Sequence, residues 1–209
     1  MRGDTPLRRA VDLLLTVPAL VVLAPLLGAI ALAVRLESPG PALFRQRRIG
    51  RQERPFAILK FRSMVRDAER LGPQISGRRD PRITRMGRLL RASKLDELPQ
   101  LVNVARGEMT LIGPRAEVPD MVRAYTEEER ATLLVRPGLT GPGQLHFTTE
   151  QASLLDTATN AEAWYRDHQL HAKLALDLEY LRRRSLADDV RLLARTVAVM
   201  LGAGRGSRA

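Results

Sequence analysis

Between Leu13 and Val34 the chain reads LLLTVPALVVLAPLLGAIALAV, a run with no charged residue. As a continuous helix it would be about 33 Å long, enough for the roughly 30 Å hydrocarbon core of a bilayer. The run therefore belongs in a membrane. Three arrangements accommodate it. A secretory signal is one, with Arg8 and Arg9 ahead of the run and Ala31-Leu32-Ala33 resembling a cleavage site. The run is long for that purpose, and the absence of cysteine gives no hint of an oxidising destination. A spanning helix is the second, but Pro25 lies near the run's centre and removes the donor that the Val21 carbonyl would accept, which predicts a kink. The third is a re-entrant helix-break-helix dipping into one leaflet. It leaves Arg2, Arg8 and Arg9 before the run, and Arg35, Arg45, Arg47, Arg48, Arg51 and Arg54 after it, on the cytoplasmic face. The residues leave the spanning and re-entrant forms open.

With 209 residues, 44% of them hydrophobic, the chain has enough apolar material for one folded domain besides this segment. Its 34 basic and 23 acidic side chains give +11, and only three of the basic residues, Lys60, Lys94 and Lys173, are lysine. Guanidinium groups favour forked contacts with phosphate or carboxylate. From Arg35 to Arg91, sixteen basic residues face five acids, so an anionic partner is expected there: phosphate, nucleic acid or lipid headgroup. A solvated, Arg-rich surface is the bland alternative. Eight aromatic residues are few for stacking single strands, and no nucleic acid is expected. Without cysteine, disulfide frameworks and thiolate metal sites are excluded. His168 and His171 lack acids at metal-site spacing and read as surface or packing residues.

After the apolar run, SPGP at 38–41 makes a rigid exit, and ALFRQRRIG with RPFAILKFRSM reads as two short strands. MVRDAERLG predicts a two-turn helix, residues 72–82 a loop, and RMGRLLRAS a short amphipathic helix. GEMTLIGPR predicts a turn and short strand, YTEEERATLL a helical stretch, and RPGLTGPGQ a rigid loop. Helices are expected over 161–184 and 186–201. In the second, Val190, Leu193, Val197 and Met200/Leu201 form a stripe that reads as core, or alternatively as a lipid-docking face.

Within SKLDELPQL, residues 93–101, two acids stand side by side amid this basic chain. Pro99 is costly inside a helix, by about 3 kcal/mol, and harmless in a first turn, so the helix carrying Leu101 is predicted to begin near Asp96. Asp96 and Glu97 would then lie where a helix dipole and free N–H groups favour negative charge; a capping pair is the bland reading. Around them are Arg91, Arg115 in IGPR, and Lys60 and Arg62 in LKFRSM, cations suited to a di- or triphosphate.

These segments resemble the bacterial sugar transferases, the monotopic phosphoglycosyl transferases that begin glycan assembly on a polyprenol carrier. The resemblance rests on LKFRSM at 59–64, DPRITRMGRLLRASKLDELPQLVNVARGEMTLIGPR at 80–115 and RPGLTGPGQ at 136–144. With SPGPALFRQRRIG and SLADDVRLLARTVAVML it extends from about Arg8 to Leu201, at the length of the minimal, catalytic-core members.

The resemblance implies an α+β fold: an N-terminal re-entrant membrane helix over residues 1–37, then a small, mostly helical cytoplasmic domain over 38–201 with short strands and interfacial amphipathic helices. A tail over 202–209 follows. It implies that Asp96 attacks the sugar-proximal phosphate of a nucleoside diphosphate sugar, usually a UDP-sugar, and then passes the phosphosugar to undecaprenyl or another polyprenol phosphate. Mg2+, held partly by Asp96, would neutralise phosphate charge. Glu97 would assist the metal, orient Asp96 or handle a proton, while Arg91, Arg115 and more weakly Arg136 match phosphate- and nucleotide-binding positions. The implied location is the cytoplasmic face of the bacterial inner membrane, in contact with its lipids. This chain departs from the family pattern in three places: Ala24-Pro25 replaces Ser-Pro at the helix break, Ala116 replaces the second proline of GPRP, and TGPGQLHFT replaces TGWAQVNGR. The last two lie where nucleotide or sugar would be read.

Overall fold

The computed structural model describes residues 3–72, 77, 80–147 and 160–200; the expected 202–209 tail lies outside them. Helix α1 (Pro6–Glu37) starts where the Thr5 hydroxyl accepts the Arg8 N–H at 3.3 Å and Pro6 occupies the first turn. It runs through both Pro18 and Pro25 without ending at either, so the two-helix break expected at Pro25 is not the observed form. Docking accounts for the continuity. Ala19, Leu20 and Leu23 before Pro25 pack on the main core, and Leu27, Ile30, Ala31 and Val34 after it pack with Phe61 and Leu90. One face thus lies on the domain along the helix, while Leu14, Val17, Val21, Val22, Leu26 and Leu32 on the other are exposed.

Polar contacts fix both ends. Arg9 donates to the carbonyls of Val104 (2.5 Å) and Ala105 (2.8 Å), and Arg8 pairs with Asp189. The buried Asp12 carboxylate accepts from Thr110 Oγ1 at 2.7 Å and from the Leu111 N–H at 3.0 Å. At the other end, Arg62 donates to the carbonyls of Val34 (3.2 Å), Ser38 (2.7 Å) and Pro39 (2.5 Å), satisfying groups that a helix terminus leaves free.

The two predicted strands form a hairpin: β1 (Leu43–Ile49) pairs antiparallel with β2 (Pro55–Phe61), Leu43 opposite Phe61 and Ile49 opposite Pro55. Helix α2 (Arg85–Ser93), capped by Thr84, leads through a 3-10 turn (Leu95–Glu97) to α3 (Gln100–Arg106), which Gly107 ends at φ +82. Strand β3 (Thr110–Ile112) pairs in parallel with β4 (Gly138–Thr140), extended by a bridge from Arg115 to Gly138. Between them lie α4 (Pro119–Arg123) and a 3-10 stretch (Glu129–Leu134). After them come α5 (Pro142–His146), α6 (Ala161–Tyr165), a π-helical turn (Arg166–Leu170), α7 (His171–Arg183) and α8 (Leu186–Met200). The main core gathers Ile58, Leu101, Val104, Leu111 and Leu181 from β2, α3, β3 and α7.

Several local expectations need correction. MVRDAERLG yields only a 3-10 turn at Ala68–Arg70, because Asp67 is left-handed at φ 59. YTEEERATLL is likewise 3-10, with Glu129 folded back on the Thr126 N–H at 2.8 Å. RPGLTGPGQ is not a free-standing loop but supplies β4 and α5, since its glycines let its backbone close on the 113 region: a Cβ on Gly138 would lie 2.1 Å from the Gly113 nitrogen. In α8, Leu193 of the stripe packs on the core beside Leu192, whereas Val190 and Val197 are exposed, so the stripe serves as core only in part; Leu201 lies outside the described residues.

Candidate active site

The paired acids sit on the 3-10 turn between α2 and α3, and the α-helix expected to begin near Asp96 begins one turn later, at Gln100. Pro99 explains the offset. It has no N–H to give the Leu95 carbonyl, which instead accepts from Leu98 at 3.2 Å, and the following Leu101 N–H bonds Leu98 at 3.0 Å. Tight i→i−3 bonding continues until α3 begins at Gln100.

The two acids have different surroundings. Glu97 Oε1 accepts from Lys60 Nζ of β2 at 2.6 Å and lies 3.6 Å from Arg115 Nη2 beyond β3. Burial alone would raise its pKa, but Lys60, Arg115 and Lys94 outweigh that and hold the carboxyl well below the usual carboxylate range. Asp96 is buried too, and among the described residues no ion pair or hydrogen bond engages its carboxylate. Burial, reinforced by the neighbouring Glu97 charge, raises its pKa against the opposing pull of Lys60, Lys94 and Arg91. One acid is clamped as an anion. The other is left with oxygens that no group among the described residues claims.

Of the other predicted residues, Arg91 on α2 donates from Nε to Ser63 Oγ at 2.8 Å, and its charge acts on Asp96. Lys60 and Arg115 meet at Glu97, and Arg115 Nη1 also donates to Gln144 Oε1 at 3.2 Å. Burial lowers the Lys60 pKa, whereas Glu97 and Glu117 raise that of Arg115 despite its burial. The two remaining arginines are engaged elsewhere. Arg62 is the clamp on the end of α1, and Arg136 bonds Asp4 (backbone N–H, 3.0 Å) and the Gly107 carbonyl (2.8 Å).

The chain matches the family model described as bacterial sugar transferase over residues 3–203. It belongs to that family. Among curated sugar transferases it is 41% identical over 197 residues to the undecaprenyl-phosphate glucose phosphotransferase of Komagataeibacter xylinus, covering 91% of this chain and 35% of that protein. It is 40% identical over 202 residues to the UDP-glucose:undecaprenyl-phosphate glucose-1-phosphate transferase of Caulobacter vibrioides, 93% of this chain and 69% of the relative. The exopolysaccharide production protein PSS of Rhizobium leguminosarum bv. phaseoli is 37% identical over 210 residues, 97% of this chain and 99% of the relative. The chain thus spans about a third of the first relative's length and nearly all of the third's.

The candidate site also includes residues outside those predicted from the sequence. Glu117, two residues after Arg115, is buried beside it and accepts from Tyr165 OH at 2.6 Å; Arg48 Nη1 lies 3.4 Å away. Lys173 sits over the Tyr165 ring at 4.5 Å, and Asp177 lies one turn further along α7. A signal was present in the composition: only three lysines occur among 34 basic residues. All three act here, Lys60 and Lys94 on the paired acids and Lys173 beside Arg115.

Proposed function

We propose that this chain transfers a sugar 1-phosphate from a UDP-sugar to undecaprenyl phosphate, in two steps through Asp96. An Asp96 oxygen bonds to the sugar-side phosphorus as the bond to the other phosphate breaks, and UMP leaves. An oxygen of undecaprenyl phosphate then displaces the carboxylate, giving undecaprenyl diphosphosugar and restoring Asp96. The observation carrying this reading is the division of labour between the two acids: Glu97 is held by Lys60 and Arg115, while Asp96 has no protein partner among the described residues. A nucleophilic carboxylate requires just such freedom, together with nearby cations for the phosphates. Glu97, held far below neutral pH, is unsuited to handling a proton and instead fixes the two cations. The names of the relatives agree, both glucose transferases acting on undecaprenyl phosphate.

Mg2+ is the cofactor this chemistry calls for. Among the described residues no three His, Cys, Asp or Glu side chains gather as a metal cage. Asp96, which has no partner among the described residues, would be the protein oxygen ligand that holds the ion, a single-carboxylate mode that suits Mg2+. When bound it would neutralise phosphate charge.

The chain acts at a bilayer surface, on the cytoplasmic face of the inner membrane, with α1 entering one leaflet and not crossing. Two features support this placement: both ends of α1 are tied to the same domain, and its outward face is apolar from Leu14 to Leu32.

Purified protein incubated with labelled UDP-sugars, Mg2+ and undecaprenyl phosphate is expected to release UMP. Asp96→Asn is expected to abolish both release and the protein-bound phosphosugar; equal product from the variant would overturn the nucleophile. Cysteines replacing Gly3 and Arg45, both exposed, are expected to be labelled from the cytoplasmic side only, and periplasmic labelling of the first would mean a spanning helix.

A further inference from the structure

Arg115 gains its position from a helix that begins more than fifty residues later. Asp177, on α7, is only 2% exposed, and its Oδ1 accepts the Gly143 N–H of α5 at 3.1 Å. The backbone N–H of Arg115 also acts on this carboxylate. Gly143 is what allows the approach: a Cβ there would lie 2.9 Å from the Lys173 carbonyl and 3.2 Å from Asp177 Oδ1. The next residue, Gln144, accepts from Arg115 Nη1 at 3.2 Å, and its amide nitrogen reaches the Gly138 carbonyl at 3.5 Å. Asp177 therefore reaches the Arg115 guanidinium through the Gly143–Gln144 turn. Lys173, one turn earlier on α7, completes the wall. Its Nζ donates to Tyr165 OH at 3.4 Å, the hydroxyl that holds Glu117 beside Arg115. Arg115, Gln144, Lys173 and Asp177 line one small cavity against this wall.

We propose that Asp177 is a positioning residue for the sugar-nucleotide half of the reaction: it fixes Arg115 between Glu97 and Gln144 so that the guanidinium meets the donor's diphosphate. This rests on the UDP-sugar reading above and goes beyond it, because it places control of donor binding on α7 and on the turn 141–144. That turn lies within the segment TGPGQLHFT, which departs from the family pattern. Asp177 acts as an acceptor of N–H groups, so an amide oxygen in its place retains most of the function. Arg115 has two further acidic neighbours, Glu97 at 3.6 Å and Glu117 at 4.0 Å; the neutral Gln144 adds a directional hydrogen bond at 3.2 Å to the hold that Glu97 provides.

The test uses the full chain in detergent with undecaprenyl phosphate, Mg2+ and UDP-glucose, UDP-galactose or UDP-N-acetylgalactosamine, reading UMP release. kcat/KM is measured separately for donor and acceptor. Asp177→Ala is expected to lower donor kcat/KM about 10- to 100-fold, the range for a buried donor left unpaired, with at least fivefold less effect on acceptor kcat/KM. Asp177→Asn is expected to recover most of that loss. Gln144→Ala, which removes only the guanidinium contact, is expected to lower donor kcat/KM about 3- to 10-fold, and it decides the matter if Asp177→Ala does not fold. Equal losses for donor and acceptor, no rescue by Asn, or an unchanged Gln144→Ala would overturn the positioning role. A wild type that releases no UMP from any of the three donors overturns the UDP-sugar reading, and this proposal with it.

Discussion

Replacing Glu97 by Gln tests whether the second acid is a clamp or a proton carrier. The substitution keeps the shape and one oxygen but removes the charge that faces Lys60 at 2.6 Å and Arg115 at 3.6 Å. At an effective dielectric of about 20, these attractions are roughly 6 and 5 kcal/mol before desolvation is subtracted. Breaking a buried pair by removing one partner costs about 3–5 kcal/mol net, and Glu97 retains 19% side-chain exposure, which favours the lower end, about 3 kcal/mol. A chain of 209 residues unfolds with an entropy of about 0.4 kcal/mol/K, so the melting temperature is expected to fall by roughly 7 °C. The Glu97 charge also raises the Asp96 pKa, so the acidic limb of the rate of UMP release is expected to move to lower pH in the variant. A clamp leaves measurable activity, reduced about 10- to 100-fold as Lys60 and Arg115 lose their fixed positions. The assays are thermal unfolding in detergent and UMP release across pH 4–8. A melting temperature within 1 °C of wild type, with the acidic limb unmoved, would refute the clamp.

Three further outcomes follow from the packing and the charges. Arg62→Ala, which frees the carbonyls of Val34, Ser38 and Pro39, is expected to cost about 2–3 kcal/mol and to speed proteolytic cutting at residues 38–41, with Lys restoring part of the loss. Gly87→Ala puts a Cβ 1.9 Å from the Ser63 carbonyl oxygen, so α2 must move off the segment that follows β2. A loss of about 1–3 kcal/mol or more, together with a fall in UMP release as Arg91 leaves Ser63, is expected from unfolding and activity measurements. Burial raises the Asp177 pKa from 3.8 to about 7, so the folded chain holds this proton more tightly than the unfolded one. The resulting stability is present below about pH 4 and lost as pH rises through about 7. Burial lowers the Lys173 pKa from 10.5 to about 7, and stability from that group is instead regained between about pH 7 and 10. Between pH 5 and 7 the melting temperature of wild type is therefore expected to fall relative to Asp177→Asn, and parallel curves would contradict the assignment.

The elements legible in the sequence were those specified by neighbours in the chain. The hairpin followed from two short apolar stretches separated by Gly50 and Pro55, and α2 from its amphipathic pattern; Pro99 marked a helix start close by, but the acids lie on a 3-10 turn and α3 begins only at Gln100. The stretch misread as a loop, and the facing of α8, depended on partners far away. RPGLTGPGQ becomes β4 and α5 only because Gly113 and α7 provide backbones on which glycine can close, and Val190 of α8 faces outward because Leu192 and Leu193 have the core to face. Arg62 and Arg136 show the same limit in the site itself. Their composition suits phosphate, yet carbonyls at the end of α1 and the Asp4 carboxylate take up their donors. The family resemblance ranked Arg136 below Arg91 and Arg115, but residue type alone had no means of setting Arg62 apart from Lys60.

By itself the sequence determined that this chain carries an uncharged run long enough for a bilayer core, and that two acids lie among phosphate-suited cations. Only the tertiary structure decided that α1 stays continuous through Pro25, since packing on both sides of the proline offsets one lost hydrogen bond. Only it separated the acids, because ion pairing depends on distance in space: Lys60, thirty-seven residues before Glu97, and Arg115, eighteen after it, reach the same carboxylate and leave its neighbour open.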